Sequence, residues 1–232
     1  MDCSPDFKES SPTGGGHSVT VHHTLPTPPA PGFRCRFAPI SIWRGDLPHL
    51  EQTGVTTFVT FRLKDSLPAE KLAELRVLRD EWMRAHPIPG ELSIDEVVDY
   101  RRFVGGTVEK WLDAGHGSCP FRHAEQREIV ENAILHFNGV RYWLYAFVVM
   151  PNHVHVLFTP TGNFTVRDIV RSWKKFSATA VRRMVGGTGA FWEDEYWDTL
   201  MRDGTHFRRA LNYTVRNSPL VAWSAYHLPV TE

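Results

Sequence analysis

The chain has 232 residues, 42% of them hydrophobic, and its 26 Lys and Arg are balanced by 26 Asp and Glu. That length holds one domain with an appendage and buries a full core without disulfide staples. The composition excludes a collagen, a coiled coil and a wholly disordered chain. No run approaches the ~20 apolar residues of a membrane helix, and the N-terminus lacks the layout expected of a signal peptide. Cys3, Cys35 and Cys119 are scattered, which argues against a disulfide framework or a cysteine zinc site and suits a reducing cytoplasm. A net charge of zero, taken as a sum, argues against a nucleic-acid partner.

Residues 1–39 combine many prolines with Gly14-Gly15-Gly16 and few large apolar side chains, a composition expected of a disordered tail. Its His17, His22 and His23 read as solvated. Residues 40–220 form the folded domain, with 221–232 as a C-terminal tail. A β-branched and aromatic run predicts a strand over 55–63. Leu72, Leu75, Leu78 and Trp82 predict a helix over 68–83. A second helix is expected over 93–112, capped by Ser93 with Glu96 three residues on. It lies in an acidic helical insertion, 85–118, that ends in Gly115-His116-Gly117-Ser118. A helix over 120–137 is stopped by Asn138-Gly139. Strands over 140–150 and 153–160 flank Pro151-Asn152 and predict a β-hairpin. A basic helix follows over 165–185, then an extended aromatic segment over 191–201, then a helix over 204–218 ended by Pro219. This order favours an α+β domain with a ferredoxin-like antiparallel sheet and flanking helices.

The second hairpin strand carries His153-Val154-His155. Side chains at i and i+2 of a strand share a face, so both imidazoles project together. Such a pair suits a divalent ion, or it is two ordinary histidines on a half-solvated sheet. Leu157 stands where a third histidine or an aspartate of other metal families would be, so further ligands must come from the C-terminal helices. On the last helix Tyr213 and Asn217 lie one turn apart, flanking a stripe of Phe207, Leu211 and Thr214. They offer a nucleophilic phenol and an oxygen ligand, or a core-edge tyrosine and an asparagine near a helix end.

The string from Tyr145 to Phe158, with Met150-Pro151-Asn152-His153-Val154-His155 at its centre, resembles the signature hairpin of the REP-associated tyrosine transposases. These belong to the HUH single-tyrosine transposase superfamily, the IS200-like transposases. Phe191-Trp192, Tyr196-Trp197-Asp198, Met201-Arg202-Asp203, Phe207-Arg208-Arg209 and Leu211-Asn212-Tyr213 follow the family's order, and the likeness spans about 40–220. It implies an HUH nuclease fold in which His153, His155 and Asn217 hold Mg²⁺ or Mn²⁺ against a phosphodiester of single-stranded, hairpin-forming DNA. It implies that Tyr213 attacks phosphorus to give a 5′-phosphotyrosine and a free 3′-hydroxyl, so that rejoining needs no ATP. It also implies a monomer or a homodimer, in which the tyrosine helix can be exchanged between protomers. The chain departs from the family after Asn217, where Ser218-Pro219-Leu220-Val221 lacks the usual lysine and glycine.

Counted by segment, the neutral total divides. Residues 65–131 hold 14 acids and 9 bases, whereas 165–218 hold 10 bases and 6 acids. Arg167, Arg171, Lys174 and Lys175 recur at helical spacing and are candidates to track phosphates, with Arg202 and Arg208 beside them. A solvated basic face is the plain alternative. Phe191 and Trp192 offer stacking surface, whereas Trp173 and Phe176 are expected in the core. Two other functions share these features: a cleavage-inactive, sequence-specific DNA-binding protein of the same fold, and an unrelated metal-dependent phosphoesterase that uses water.

Overall fold

The computed structural model describes residues 26–44, 47–85, 93–216 and 223–225. Val59, Phe61 and Leu63 alternate with Phe58, Thr60 and Arg62 along β3 (Thr57–Arg62) and its end, and this period of two divides the molecule. On one side, Val59 and Phe61 join Val154, Val156 and Phe158 of β5 (His153–Pro160) and Tyr142, Leu144 and Phe147 of β4 (Tyr142–Val149). Helices α4 (Ala124–Leu135) and α5 (Val166–Val185) cover that side through Val130, Ile134, Val166, Ile169, Val170 and Trp173. Trp173 is fully buried, and its indole Nε1 donates to the Tyr142 hydroxyl at 2.9 Å. That hydroxyl donates in turn to the Ile134 carbonyl at 2.5 Å, so three elements meet with their polar atoms satisfied.

The main sheet runs β6-β3-β5-β4-β7, with β6 at Trp197–Leu200 and β7 at Trp223–Ser224, and its neighbours are antiparallel. Leaving out β7, the order in chain terms is fourth-first-third-second. This is the ferredoxin-like arrangement expected from strand, helices, hairpin, helix and strand. The hairpin register is interrupted between Leu144 and Ala146. The bulge turns Tyr145 toward α6 (Gly204–Arg216), where it meets Phe207 edge to face at 5.3 Å between ring centroids. Helix α6 lies on the other side of the sheet from α4 and α5, with Phe207, Ala210 and Leu211 packed on Tyr145, Ala146 and Leu157.

The insertion packs beside β6. Its helices α2 (Ile94–Tyr100) and α3 (Gly106–Asp113), with α1 (Ala69–Ala85) that precedes it, bury Trp82, Val97, Tyr100, Val108 and Leu112 against Leu50 and Leu200. The capping box at Ser93 and Glu96 forms as expected. The single helix expected over 93–112 instead breaks into α2 and α3 across a wider π turn at Arg101–Gly105. There the Arg101 guanidinium reaches the Pro48 carbonyl and the Asp198 carboxylate, a long-range pull that helical spacing alone does not reveal.

Two strands, β1 (Ser41–Arg44) and β2 (Pro48–Glu51), form a small antiparallel pair that the sequence did not announce. Within the stretch read as a tail, residues 26–39 are bound to the domain. The Arg34 amide donates to the Met201 carbonyl at 2.8 Å, and Gln52 bridges to both backbone groups of Cys35. Residues 223–225, read as part of the C-terminal tail, add β7 to the edge of β4. Residues 1–25 lie outside the described residues. Among the described residues, no helix is long and apolar enough to cross a membrane.

Candidate active site

Strand β5 turns Val154 and Val156 toward the α5 side and His153 and His155 toward the α6 side, where both imidazoles are buried. The hairpin turn supplies the first hold. The side chain of Asn152, itself fully buried, donates from Nδ2 to the His116 carbonyl at 2.9 Å. Its Oδ1 then faces His153 Nδ1 at 2.8 Å. An amide oxygen only accepts, so Nδ1 of His153 carries the proton and its Nε2 carries the lone pair. His155 is held by Thr60, its direct cross-strand partner, with the hydroxyl 2.8 Å from Nδ1. A hydroxyl donates or accepts, so Thr60 fits either tautomer of His155.

The two Nε2 atoms face each other at 3.1 Å. Burial drives His153 down to about 3. It also carries His155 well below its ordinary value, with the neighbouring His153 adding to the fall. Both rings are therefore neutral at physiological pH, the form that ligates cations. Nitrogens 3.1 Å apart match the ~3.0 Å edge between adjacent ligands at ~2.1 Å from one ion. Hydrogen bonds at Nδ1 are the usual outer support of ligating histidines. Two neutral imidazole nitrogens at this spacing could ligate one divalent ion or share a proton in an N–H···N hydrogen bond, and among the described residues no three His, Cys, Asp or Glu side chains stand gathered to hold an ion.

The last helix brings its phenol to this pair. Asp203 caps α6 by accepting from the His206 amide at 2.8 Å, and the buried Thr214 hydroxyl bonds back to the Ala210 carbonyl at 2.9 Å. With Phe207 and Leu211 against the sheet, Tyr213 stands half-buried beside His155. Their ring centroids are 5.2 Å apart in an edge-to-face arrangement, and Tyr213 also meets Phe58 at 6.0 Å. Asn217, the expected third ligand, lies outside the described residues.

The basic candidates are divided between the two sides of the sheet. Arg167, Arg171 and Lys175 are exposed on α5, across the sheet from the histidines. With Arg182 they line a groove of about 650 Å³ between α5 and the segment 189–196. Lys174 is different. Its ammonium donates to the carbonyls of Glu193, Asp194 and Glu195 at 2.9, 3.0 and 3.1 Å, which uses all three of its protons. Burial pulls it down to about 8 against the raising influence of Glu195, Asp194 and Glu193. It fastens this segment to α5 and has no proton left for a phosphate. Arg202 and Arg208 are exposed at the start of α6, on the histidine side. Among the aromatics, Trp173 is in the core as expected, but Phe176 is 58% exposed, while Trp192 is buried with its Nε1 on Ser177 Oγ at 3.0 Å.

Three side chains at the site escaped the sequence reading: Asn152, Thr60 and Asp113. Asn152 adjoins His153 in the sequence, but its role depends on the His116 carbonyl, 36 residues earlier. Thr60 is found only once the strand register is known. Asp113 ends α3, and its Oδ1 lies 3.9 Å from His153 Nε2.

The model of the family described as transposase IS200 like matches residues 124–207, which run from α4 through the hairpin and α5 into α6. No curated protein matches the chain. Among solved structures, a REP-associated tyrosine transposase bound to a REP hairpin is similar at 17% identity over 72% of this chain and 67% of that one, with a TM-score of 0.34. A protein described as a transposase from Deinococcus radiodurans R1 is similar at 16% identity over 70% of this chain and 89% of that one, with a TM-score of 0.30. The resemblance read from the hairpin and the motifs as far as Phe207 is thus met by the IS200-like transposase family, whose match ends before Tyr213.

Proposed function

We propose that the chain is a single-tyrosine DNA transposase, a divalent-metal-dependent endonuclease and strand transferase acting on single-stranded, hairpin-forming DNA. The observation that carries this reading is the edge-to-face contact of Tyr213 with His155, 5.2 Å between centroids, on the side where both Nε2 atoms converge. A helix from the end of the chain and a hairpin some 50 residues earlier supply a nucleophile and a ligand pair to one place.

His153 and His155, with Asn217, would hold Mg²⁺ or Mn²⁺, which supplies Lewis-acid polarisation of the scissile phosphate and a template for it. Asn152 and Thr60 orient the two imidazoles. Tyr213 forms a bond from its phenolic oxygen to phosphorus and releases the 3′-oxygen as a hydroxyl. The resulting 5′-phosphotyrosine keeps the ester energy for rejoining. Arg167, Arg171 and Lys175 on α5, with Arg202 and Arg208 at α6, offer charge to the phosphate backbone. Free Cys35 and Cys119 suit a reducing cytoplasm.

The test is incubation of the full chain with labelled single-stranded hairpin DNA and Mn²⁺. An adduct that survives denaturation is expected, and it should vanish in Tyr213→Phe and His153→Ala. No adduct across a panel of hairpins and single strands overturns the proposal. Cleavage that persists in Tyr213→Phe points instead to a phosphoesterase using water.

A further inference from the structure

We infer that a cavity between the helical insertion and the β3–β6 edge of the sheet takes one unpaired nucleobase of the DNA, beside the residues proposed to cut it. The inference deepens the proposed function and rests on the chain acting on single-stranded DNA.

The sheet register sets the place. Thr60 pairs with His155 on one side and with Trp197 on the other, and Phe58 pairs with Thr199. Direct cross-strand partners share a face, so Trp197, Thr60 and His155 form one row on the histidine side. Strands lie ~4.8 Å apart, which sets Trp197 roughly 10 Å from His155. The π turn and the start of α3 stand over the Trp197 end of that row and enclose about 250 Å³ with Phe58, Thr60, Trp197 and Thr199. That volume lies below the ~300–1,000 Å³ of sites for drug-sized ligands, so it holds a base and not a paired stem. Phe58 belongs both to the cavity and to the histidine site. Its ring stacks on His155 at 5.4 Å and meets Tyr213 edge to face at 6.0 Å.

The lining suits a base on its faces and on its edges. Phe58 and Trp197 are only partly buried, which leaves ring surface for a base to stack on. Gly105 and Gly106 keep the approach open: a Cβ at Gly105 would lie 3.5 Å from the Trp197 ring, and one at Gly106 would meet nothing within 4 Å. Glu109, Arg102 and Thr199 add hydrogen-bonding groups to the same lining. Burial, with the charge of Asp113 adding to it, pushes Glu109 up to about 7, so near neutral pH its carboxyl can both accept and donate. Arg101, with its side chain 8% exposed, lines the cavity as well. Its Nε and Nη2 are taken by Pro48 and Asp198, while its buried Nη1 has no partner among the described residues. Turns of the π type recur at functional sites, and this one carries both Arg101 and Gly105 on the cavity wall.

The test measures equilibrium binding of the full chain to a labelled hairpin with unpaired flanks, in a series where each unpaired position in turn is made abasic. One abasic position should weaken binding about tenfold, the loss of a stacked base, and far more than its neighbours do. Gly106→Phe, which fills the cavity from an open wall, should bind the intact strand about tenfold more weakly and lose nothing further at that position. Trp197→Leu should behave alike, whereas Gly106→Ala should keep the full abasic penalty. Both Gly106 variants should melt with the unsubstituted chain. If no position stands out, or if the penalty survives in Gly106→Phe or Trp197→Leu, the base site is overturned while the strand still binds. An unsubstituted chain without affinity for any hairpin or single strand fails before the abasic series and sinks the proposed function itself.

Discussion

Asn152 joins two parts of the molecule through one side-chain amide: its oxygen accepts from Nδ1–H of His153 at 2.8 Å and its nitrogen donates to the His116 carbonyl at 2.9 Å. Replacing it with alanine leaves the histidines in place but frees the ring of His153 to rotate and change tautomer. Outer supports of this kind are worth about 10–100-fold in metal affinity. Asn152→Ala is expected to weaken Mn²⁺ binding by that order, and calorimetric titration checks it. Unchanged affinity would show that burial alone orients the ring.

Acid should unfold the protein through the same pair. His153, held at about 3, and His155, held well below 6.5, are neutral when folded, whereas both take a proton near pH 6.5 when unfolded. Their contribution is therefore present above the unfolded value and is lost as pH falls below it. Each adds a slope approaching ~1.4 kcal/mol per pH unit. Denaturant midpoints between pH 6.5 and 5 should fall less steeply in a His153→Gln, His155→Gln double variant.

A second buried network has the opposite sign. His49 lies between Asp198, at 2.5 Å, and Glu195, at 3.0 Å, and Asp198 also receives Arg101. Burial lowers the imidazole, but the hydrogen bonds to Asp198 and Glu195 win and raise it above 6.5. The protonated ring thus stabilises the fold fully below pH 6.5, and that stability is lost as pH rises through the raised value. Melting temperature should decline on the alkaline side of pH 6.5 in the unsubstituted chain. In His49→Gln that decline should be flatter, from a lower starting point.

Lys174 and Arg171 sit one turn apart on α5 and should fail in different ways. Lys174→Met removes the bonds to three carbonyls and should cost about 2–3 kcal/mol in stability. Arg171→Ala should leave stability within ~0.5 kcal/mol. It should instead weaken DNA binding and reduce the salt slope by about one. Chemical denaturation and binding across a salt series separate the two.

The parts of the site legible in the sequence are those fixed by local pattern. Alternation places His153 and His155 on one face, and helical spacing puts Tyr213 beside the stripe of Phe207 and Leu211 that seats α6. Both patterns survive folding because each side chain's direction is set within its own element. What escaped depends on partners far away in sequence. Thr60 needs the β3–β5 register, and the π turn at Arg101 answers to Pro48 and Asp198. The acidic insertion looked like a neutralising counterweight to a basic half until its π turn and α3 proved to wall a cavity over Phe58 and Trp197. Lys174 matches the periodicity of a phosphate contact, yet the backbone of 193–195 claims its protons. β1 and β2 are four residues each, too short for alternation to announce them.

The central claim is that Tyr213 is the residue that takes the DNA. The most direct measurement digests the denatured adduct formed on labelled hairpin DNA and locates the 5′-phosphate by tandem mass spectrometry. The expected result is the phosphate on the Tyr213 side chain and no adduct in Tyr213→Phe. A phosphate on any other residue, or an adduct undiminished in Tyr213→Phe, contradicts it.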